Sequence, residues 1–416
     1  MREDFRSKWL RLCYTRADPR QLGACVFIRR IRIKNVRVIQ DLSLELSPVT
    51  VLVGDNNSGK STVLDGITNF SNVGRGNFRL PPEGKYSFDA LRSQAPGAEP
   101  FIEYEVEVGK PGSLGLVYVL RYSKKDSGLV IDHETLTFGP SLLFDRANQD
   151  QMTLTSITSV GADETVLSAI RRSLRTGGQE DSSAVADLAK SVGNVMTFRL
   201  VPYVMAQPAP LPSEDDTMSP RLAGNGYGLA TLLAHLHEST RHPDIAAREE
   251  ILGLLRTHIV GFQDFSFAQS DADKVEFSVT FDDARGSVRA NQLSDGTLSL
   301  IGHIALLCSP SRPALMGLEE PESGLTTKSL RGLMRTISAA GETRPGRWPS
   351  QVVIATHSPY IVSWAWENLG EKAVYETACS GGRASIQTFL DAHPEIEPGG
   401  ALGPNAVVTA MGWQFG

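Results

Sequence analysis

Residues 54–62 read Gly-Asp-Asn-Asn-Ser-Gly-Lys-Ser-Thr. Gly54, Gly59, Lys60 and Ser61 occupy the fixed positions of the phosphate-loop pattern G-x-x-x-x-G-K-[ST]. The flanks agree with the pattern. Upstream, Val49, Val51, Leu52 and Val53 make a short apolar, largely β-branched run of the kind that forms a buried parallel strand. Downstream, Val63, Leu64, Ile67 and Phe70 recur at helical spacing. Glycines let the backbone curl so that its N–H groups face a phosphate. A helix starting near Gly59 adds its positive end and its unpaired amides. Lys60 then places a cation on the outer phosphates, and Ser61 offers a hydroxyl to Mg²⁺. Asn56, Asn57, Ser58, Gly59, Lys60, Ser61 and Thr62 are the candidate nucleotide-binding residues.

Working outward, 416 residues can hold two or three domains, or one large domain with an insertion. Hydrophobic residues make up 41% and charged ones 21%, the balance of an ordinary globular chain. A formal net charge of −6 argues against an overall basic, nucleic-acid-binding surface but leaves room for a local patch. Arg29, Arg30, Arg32, Lys34 and Arg37 are the candidates for one; because Ile31 and Ile33 alternate with them, the solvated face of a strand is the favoured reading. Cys13, Cys25, Cys308 and Cys379 lack metal-ligand spacing and suit reduced thiols in a cytoplasmic protein. No apolar run approaches 18 residues, so no membrane span is expected. Residues 1–25 read as a flexible N-terminal extension, with translation expected to begin near Val26.

Period-two patterns predict strands over 26–53, then over 101–108, 116–122 and 129–138, with a loop over 71–100. Helical spacing covers 163–195, a strand is expected over 198–205, a mobile proline-rich loop over 207–220, and helices over 227–260 with a break near Pro243. Alternation of Val275, Phe277, Val279 and Phe281 resumes a sheet. The organisation expected is an N-terminal half-domain at 26–145, a mainly helical insertion at 146–261, and a C-terminal half-domain at 262–416.

Three further segments carry chemistry. Leu293-Ser294-Asp295-Gly296-Thr297 precedes an apolar helical stretch, so Ser294 and Gly296 open a helix able to bind an anion. Residues 315–325 end an apolar strand in Glu319, Glu320 and Glu322. Residues 352–359 end another in Thr356, His357 and Ser358. Ligands of open α/β sheets gather at the carboxyl ends of strands. There Glu319 can hold Mg²⁺, Glu320 can orient or deprotonate water, and His357 can sense a terminal phosphate.

With these motifs in this order, the chain resembles the ABC-type ATPase heads of the RecF, SMC and OLD-like group. The resemblance rests on residues 54–62, 293–297, 315–320, 322–325 and 355–359, and on Ile31-Arg32-Ile33-Lys34-Asn35-Val36 as a first strand. It spans roughly 26–140 and 262–365. It implies an α/β fold, a P-loop NTPase head with a mixed central sheet and flanking helices, carrying the helical insertion. It implies ATP and Mg²⁺ as cofactors and a homodimer closed around two ATP molecules. In that dimer the phosphate loop of one protomer faces Ser294 and Gly296 of the other, Lys60, Glu320 and His357 are catalytic, and Ser61 and Glu319 hold the metal. Glu319 stands where many ABC proteins have Asp, as in OLD-like members. Gln94 and Gln207 are both open as the glutamine-loop residue. Asp391 and Glu395 are too isolated to suggest a Toprim nuclease. The group works in DNA repair, chromosome maintenance or anti-phage defence, so an ATP-driven switch with a separate effector protein is expected, with DNA or RNA binding left open and no membrane partner. Two other readings use the same motifs: the ATP-binding subunit of a membrane transporter, and a nucleotide-bound scaffold that does not hydrolyse.

Overall fold

The computed structural model describes residues 27–75, 84–109, 114–126, 128–154, 157, 159–176, 183–212, 219–271, 273–342, 349–397 and 400–412. The expected N-terminal extension therefore lies outside the described residues. The chain resolves into two compact units, one formed by residues 1–196 with 362–416 and the other by 197–361.

In the first unit, six strands make an antiparallel sheet in the order Ile39–Glu45, Phe27–Val36, Phe101–Gly109, Leu116–Lys125, Gly128–Phe138 and Ser141–Asp145. Alternation dictates their faces: Ile31, Ile33, Leu44, Tyr104, Val106, Tyr118 and Leu120 are fully buried. The opposite face carries the basic residues of the first strand, each set against an acid on a neighbouring strand. Arg30 meets Glu105 at 2.7 Å, Lys34 meets Glu103 at 2.6 Å, and Arg32 donates to Asp41 at 2.7 Å. Cross-strand pairing accounts for this cluster as a solvated sheet face.

A second set of strands begins with Val49–Val53, every residue of it buried. Val374–Ser380 runs parallel to it and pairs antiparallel with Arg383–Thr388. From Val49–Val53 the chain enters helix Lys60–Arg75. Phe70 on that helix packs against Tyr104 and Tyr118 with ring centroids 5.3 and 6.0 Å apart, and Asn69 donates to the hydroxyls of Tyr104 and Tyr122 at 2.8 and 2.6 Å. Asp65, 2% exposed, holds Arg37 and Lys85, so the helix is keyed to the turn between the first two strands.

In the second unit, Phe262–Asp271, Lys274–Phe281 and Ser287–Arg289 form an antiparallel sheet, with Ala209–Pro210 added beside Lys274 and Val275. Val275, Phe277, Val279 and Phe281 point inward as their alternation requires. Leu315–Glu319 and Gln351–Thr356 are parallel, with Glu319 level with Ala355. Helices Leu229–Glu238 and His242–His258 separate at 239–241, just before Pro243, which sits in the first turn of the latter, where a missing N–H is tolerated. Helix Asp295–Cys308 is buried from Leu298 onward.

Two local expectations are corrected. The stretch 71–100 is not all loop. The phosphate-loop helix continues to Arg75, and Phe88–Leu91 forms a helical turn whose Ser87 hydroxyl accepts from the Ala90 N–H; residues 76–83 lie outside the described residues. The run 198–205 is not a strand: the strand ends at Phe198, and Pro202–Met205 is a helical turn with proline at its start. Residues 213–218 of the expected proline-rich loop also lie outside the described residues. Cys308 and Cys379 are free thiols, and no described helix is long and apolar enough to cross a membrane.

Candidate active site

The phosphate loop occupies the junction of strand Val49–Val53 and helix Lys60–Arg75. Its turn needs left-handed backbone at Asn57 (φ 64°) and Gly59 (φ 107°). Gly54 is required by contact: a Cβ there would lie 2.2 Å from the Thr377 carbonyl oxygen. Below the loop, the Ser58 hydroxyl lies 2.6 Å from that of Thr377, which in turn donates to the Val53 carbonyl at 3.2 Å. The loop is thus bolted to the end of its own strand. Lys60 Nζ donates to the carbonyls of Gly54 and Asp55 at 2.7 and 2.8 Å, which fixes the ammonium across the loop mouth. Asp55, Asn56, Asn57 and Ser61 are exposed, while Ser58, Lys60 and Thr62 are largely buried. Curled backbone, a held ammonium, an outward serine hydroxyl and the first turn of a helix together suit a phosphate chain with a hard cation, so the residues present fit ATP with Mg²⁺.

Glu319, Glu320, Glu322 and His357 belong to the second unit. Because Leu315–Glu319 and Gln351–Thr356 are parallel and in register, their polar tails emerge at one level. The Glu320 N–H donates to the Ala355 carbonyl at 2.8 Å, and Glu320 takes φ 47°, a left-handed conformation uncommon outside glycine. Such backbone costs on the order of 1–3 kcal/mol and concentrates at functional sites. Its carboxylate is set between two partners: Oε1 lies 3.9 Å from His357 Nε2, and Oε2 accepts from Arg199 Nη2 at 3.0 Å. Glu319, one residue earlier, is partly exposed at the strand end. Glu322 reaches back to the other strand, its Oε1 accepting from the Thr356 hydroxyl at 2.5 Å and the His357 N–H at 3.1 Å. Its Oε2 is buried without a hydrogen-bond partner, and burial pushes the Glu322 carboxyl above the usual carboxylate range, with the negative Glu320 adding to the shift.

The helix-opening segment lies in this unit as well. Ser294 is the N-cap of helix Asp295–Cys308, its hydroxyl accepting from the Thr297 N–H at 3.2 Å. Gly296 lies against the turn after the acids: a Cβ on it would lie 2.3 Å from the Gly324 carbonyl oxygen, and Gly324 itself has φ 75°. Ser294 stays exposed.

The second unit therefore brings Glu320 together with His357, and packs Gly296 on the turn that follows the acids. Lys60, with the rest of the phosphate loop, belongs to the first unit. Gln94 donates its side-chain amide to the Asp89 carbonyl at 3.2 Å in the first unit; Gln207 closes the helical turn after Pro202 in the second. Arg199 escaped the sequence reading. It stands alone between short apolar runs, and no spacing or motif marks it.

Two family models match the chain. One, described as "AAA ATPase domain", spans residues 27–128; the other, described as "AAA domain, putative AbiEii toxin, Type IV TA system", spans residues 223–363. No curated protein sequence matches. Among solved structures, the chain is similar to an Smc head domain with an extended coiled coil, bound to the C-terminal domain of ScpA, derived from Pyrococcus furiosus. Identity is 10% and the TM-score 0.50, with 89% of this chain and 98% of that chain covered. An SmcHead bound to the C-winged helix domain of ScpA matches at 10% identity and TM-score 0.49, covering 87% of this chain and 98% of that one. The SMC head domain from Thermotoga maritima matches at 12% identity and TM-score 0.41, with the same shares of 87% and 98%. At such identity the Pyrococcus likeness speaks for the fold alone, that of a P-loop NTPase head.

Proposed function

We propose that this chain, with AAA ATPase family matches at 27–128 and 223–363 and the fold of an SMC head, is a Mg²⁺-dependent ATP-hydrolysing switch that works as a homodimer. In this reading residues 146–261 interrupt the head between its halves; the second family match opens at 223, inside that stretch.

Asn56, Asn57, Ser58, Gly59 and Thr62 would wrap the phosphates with backbone N–H groups, and Lys60 would neutralise the outer ones. Ser61 and Glu319 would each offer an oxygen to Mg²⁺, which would supply charge neutralisation on the phosphates. Glu320 takes the proton of the attacking water, and His357 contacts the terminal phosphate. Ser294 and Gly296 of the second protomer present a helix N-terminus to that phosphate, so ATP joins the two copies in an isologous pair. Loss of the terminal phosphate removes the adhesive, and the dimer opens.

One observation carries the reading: a glutamate in strained backbone at the end of a buried strand, its carboxylate turned to a histidine at the end of the parallel neighbour. Backbone of that kind carries a cost, and such cost concentrates at functional sites. The output is control of a separately encoded effector in the cytoplasm, in DNA repair or defence against phage. The toxin–antitoxin wording of one family model and the partner-bound Smc head from Pyrococcus furiosus support it by analogy alone. Glu320→Gln tests the core of the reading. With ATP and Mg²⁺ the variant accumulates as a dimer in light scattering, and a strictly monomeric variant under saturating ATP rules the ATP-joined pair out.

A further inference from the structure

Arg199 has no part in the machinery described above, yet it makes the one hydrogen bond described for the Glu320 carboxylate, from Nη2 to Oε2 at 3.0 Å. Backbone is fixed at both ends of the pair. Glu320 is held by the Ala355 carbonyl and by a tight turn in which Ser323 N–H donates to the Glu320 carbonyl at 3.0 Å. The Arg199 N–H donates to the Gly224 carbonyl at 2.8 Å, and Val201 N–H to that of Asn225 at 3.0 Å. One turn later Met205 fills a niche between two glycines: a Cβ on Gly226 would lie 2.4 Å from its Cγ, and one on Gly302 would lie 2.3 Å from its Sδ. Gly302 belongs to helix Asp295–Cys308, so the Arg199 segment is seated on a rigid element.

Folding stability does not explain this arrangement. The Arg199 side chain is 66% exposed, and ion pairs of that kind contribute little to stability. Orientation does explain it. A carboxylate that acts on water works best with one oxygen pinned and the other offered, and the usual device is a third group hydrogen-bonded to the base. A guanidinium suits the task because its donors are set in a rigid plane and it stays charged. Here the pinned oxygen is Oε2, and the free one, Oε1, is on the His357 side.

We propose that Arg199 is a positioning residue for hydrolysis: it pins Oε2 of Glu320 and so presents Oε1 to the attacking water. The inference rests on the ATPase reading above and deepens it.

The test is steady-state ATP turnover by the full chain with Mg²⁺, comparing wild type with Arg199→Ala, Arg199→Lys, Glu320→Gln and the Arg199→Ala/Glu320→Gln double variant. Arg199→Ala is expected to lower kcat about tenfold or more while the KM for ATP and the melting temperature stay put. Arg199→Lys recovers part of the loss, since an ammonium can reach the same oxygen. In the Glu320→Gln background, Arg199→Ala costs nothing further, because its effect passes through Glu320. Unchanged or raised kcat in Arg199→Ala overturns the proposal. So does a loss that persists in the Glu320→Gln background, which would put the guanidinium to work on the nucleotide directly. A wild-type chain that binds ATP and never turns it over defeats the hydrolysis reading itself, and this inference with it; an active wild type beside an unaffected Arg199→Ala defeats this inference alone.

Discussion

The loop at 54–62 and the acidic strand ends both hold charged groups in fixed positions, by opposite means. The loop does so with nine consecutive residues, mostly through backbone, and its partners below are Val53, one position upstream, and Thr377 on the adjacent strand. The strand-end site relies on side chains from 199, 319–322 and 357, brought together by the register of two parallel strands and one short turn. A site made of contiguous backbone depends mainly on its own residues and on the few that brace it, here Thr377. A site made of converging side chains depends on everything that sets the register and the turn.

The contrast is open to experiment. Lys60→Ala strikes the local site and carries the largest effect, loss of nucleotide binding seen as the absence of heat in isothermal titration calorimetry; tight binding by the variant would remove the lysine from its role. Glu320→Gln strikes the convergent site and lowers kcat by about 10²- to 10⁴-fold while ATP still binds, read by phosphate release beside the calorimetric titration. If it also abolished binding, the division of labour between the two sites would be wrong. Gly296→Ala places a Cβ 2.3 Å from a backbone carbonyl at Gly324, which cannot yield as a flexible side chain would. Hydrolysis is expected to drop about tenfold or more, with ATP binding by the isolated monomer preserved, and an unimpaired rate would separate this turn from closure. Gly302→Ala presses on Met205, a side chain that can move, so its cost is about 1–3 kcal/mol in chemical denaturation and falls when Met205→Ala is added.

The smallest effect concerns pH. Burial raises the Glu322 carboxyl, so the folded chain holds that proton more firmly than the unfolded one. Its contribution to stability is complete below the ordinary glutamate pKa and is lost as pH climbs through the raised folded value. Glu322→Gln keeps an oxygen for Thr356 and His357 and carries no charge, so denaturation midpoints measured from mildly acidic to neutral pH should decline less in the variant than in wild type. An identical slope would mean that Glu322 is not the group that titrates.

Much of the fold was legible because alternation and helical spacing are local consequences of burial. Ile31, Ile33, Leu42 and Leu44 announced their strands, as did Val275 to Phe281. The run at 198–205 misled because Val201 and Tyr203 look like strand residues, whereas Pro202 opens a helical turn that leaves both of them exposed. The basic cluster was legible only by half: alternation marked a strand face, but its acidic partners Glu103 and Glu105 stand some seventy positions away, a distance at which no spacing rule operates.

The sequence by itself determined the phosphate loop, since a turn of that length is specified by its own glycines and by the strand and helix on either side of it. It also determined that Glu319, Glu320 and His357 stand at the ends of apolar strands. Only the tertiary structure decided that Glu320 takes a left-handed backbone, that its two oxygens face Arg199 and His357, and that Gly296 lies against Gly324. The physical reason is that such contacts follow from strand register and packing, which are set jointly by residues far apart in the chain and leave no period or motif at any one of them.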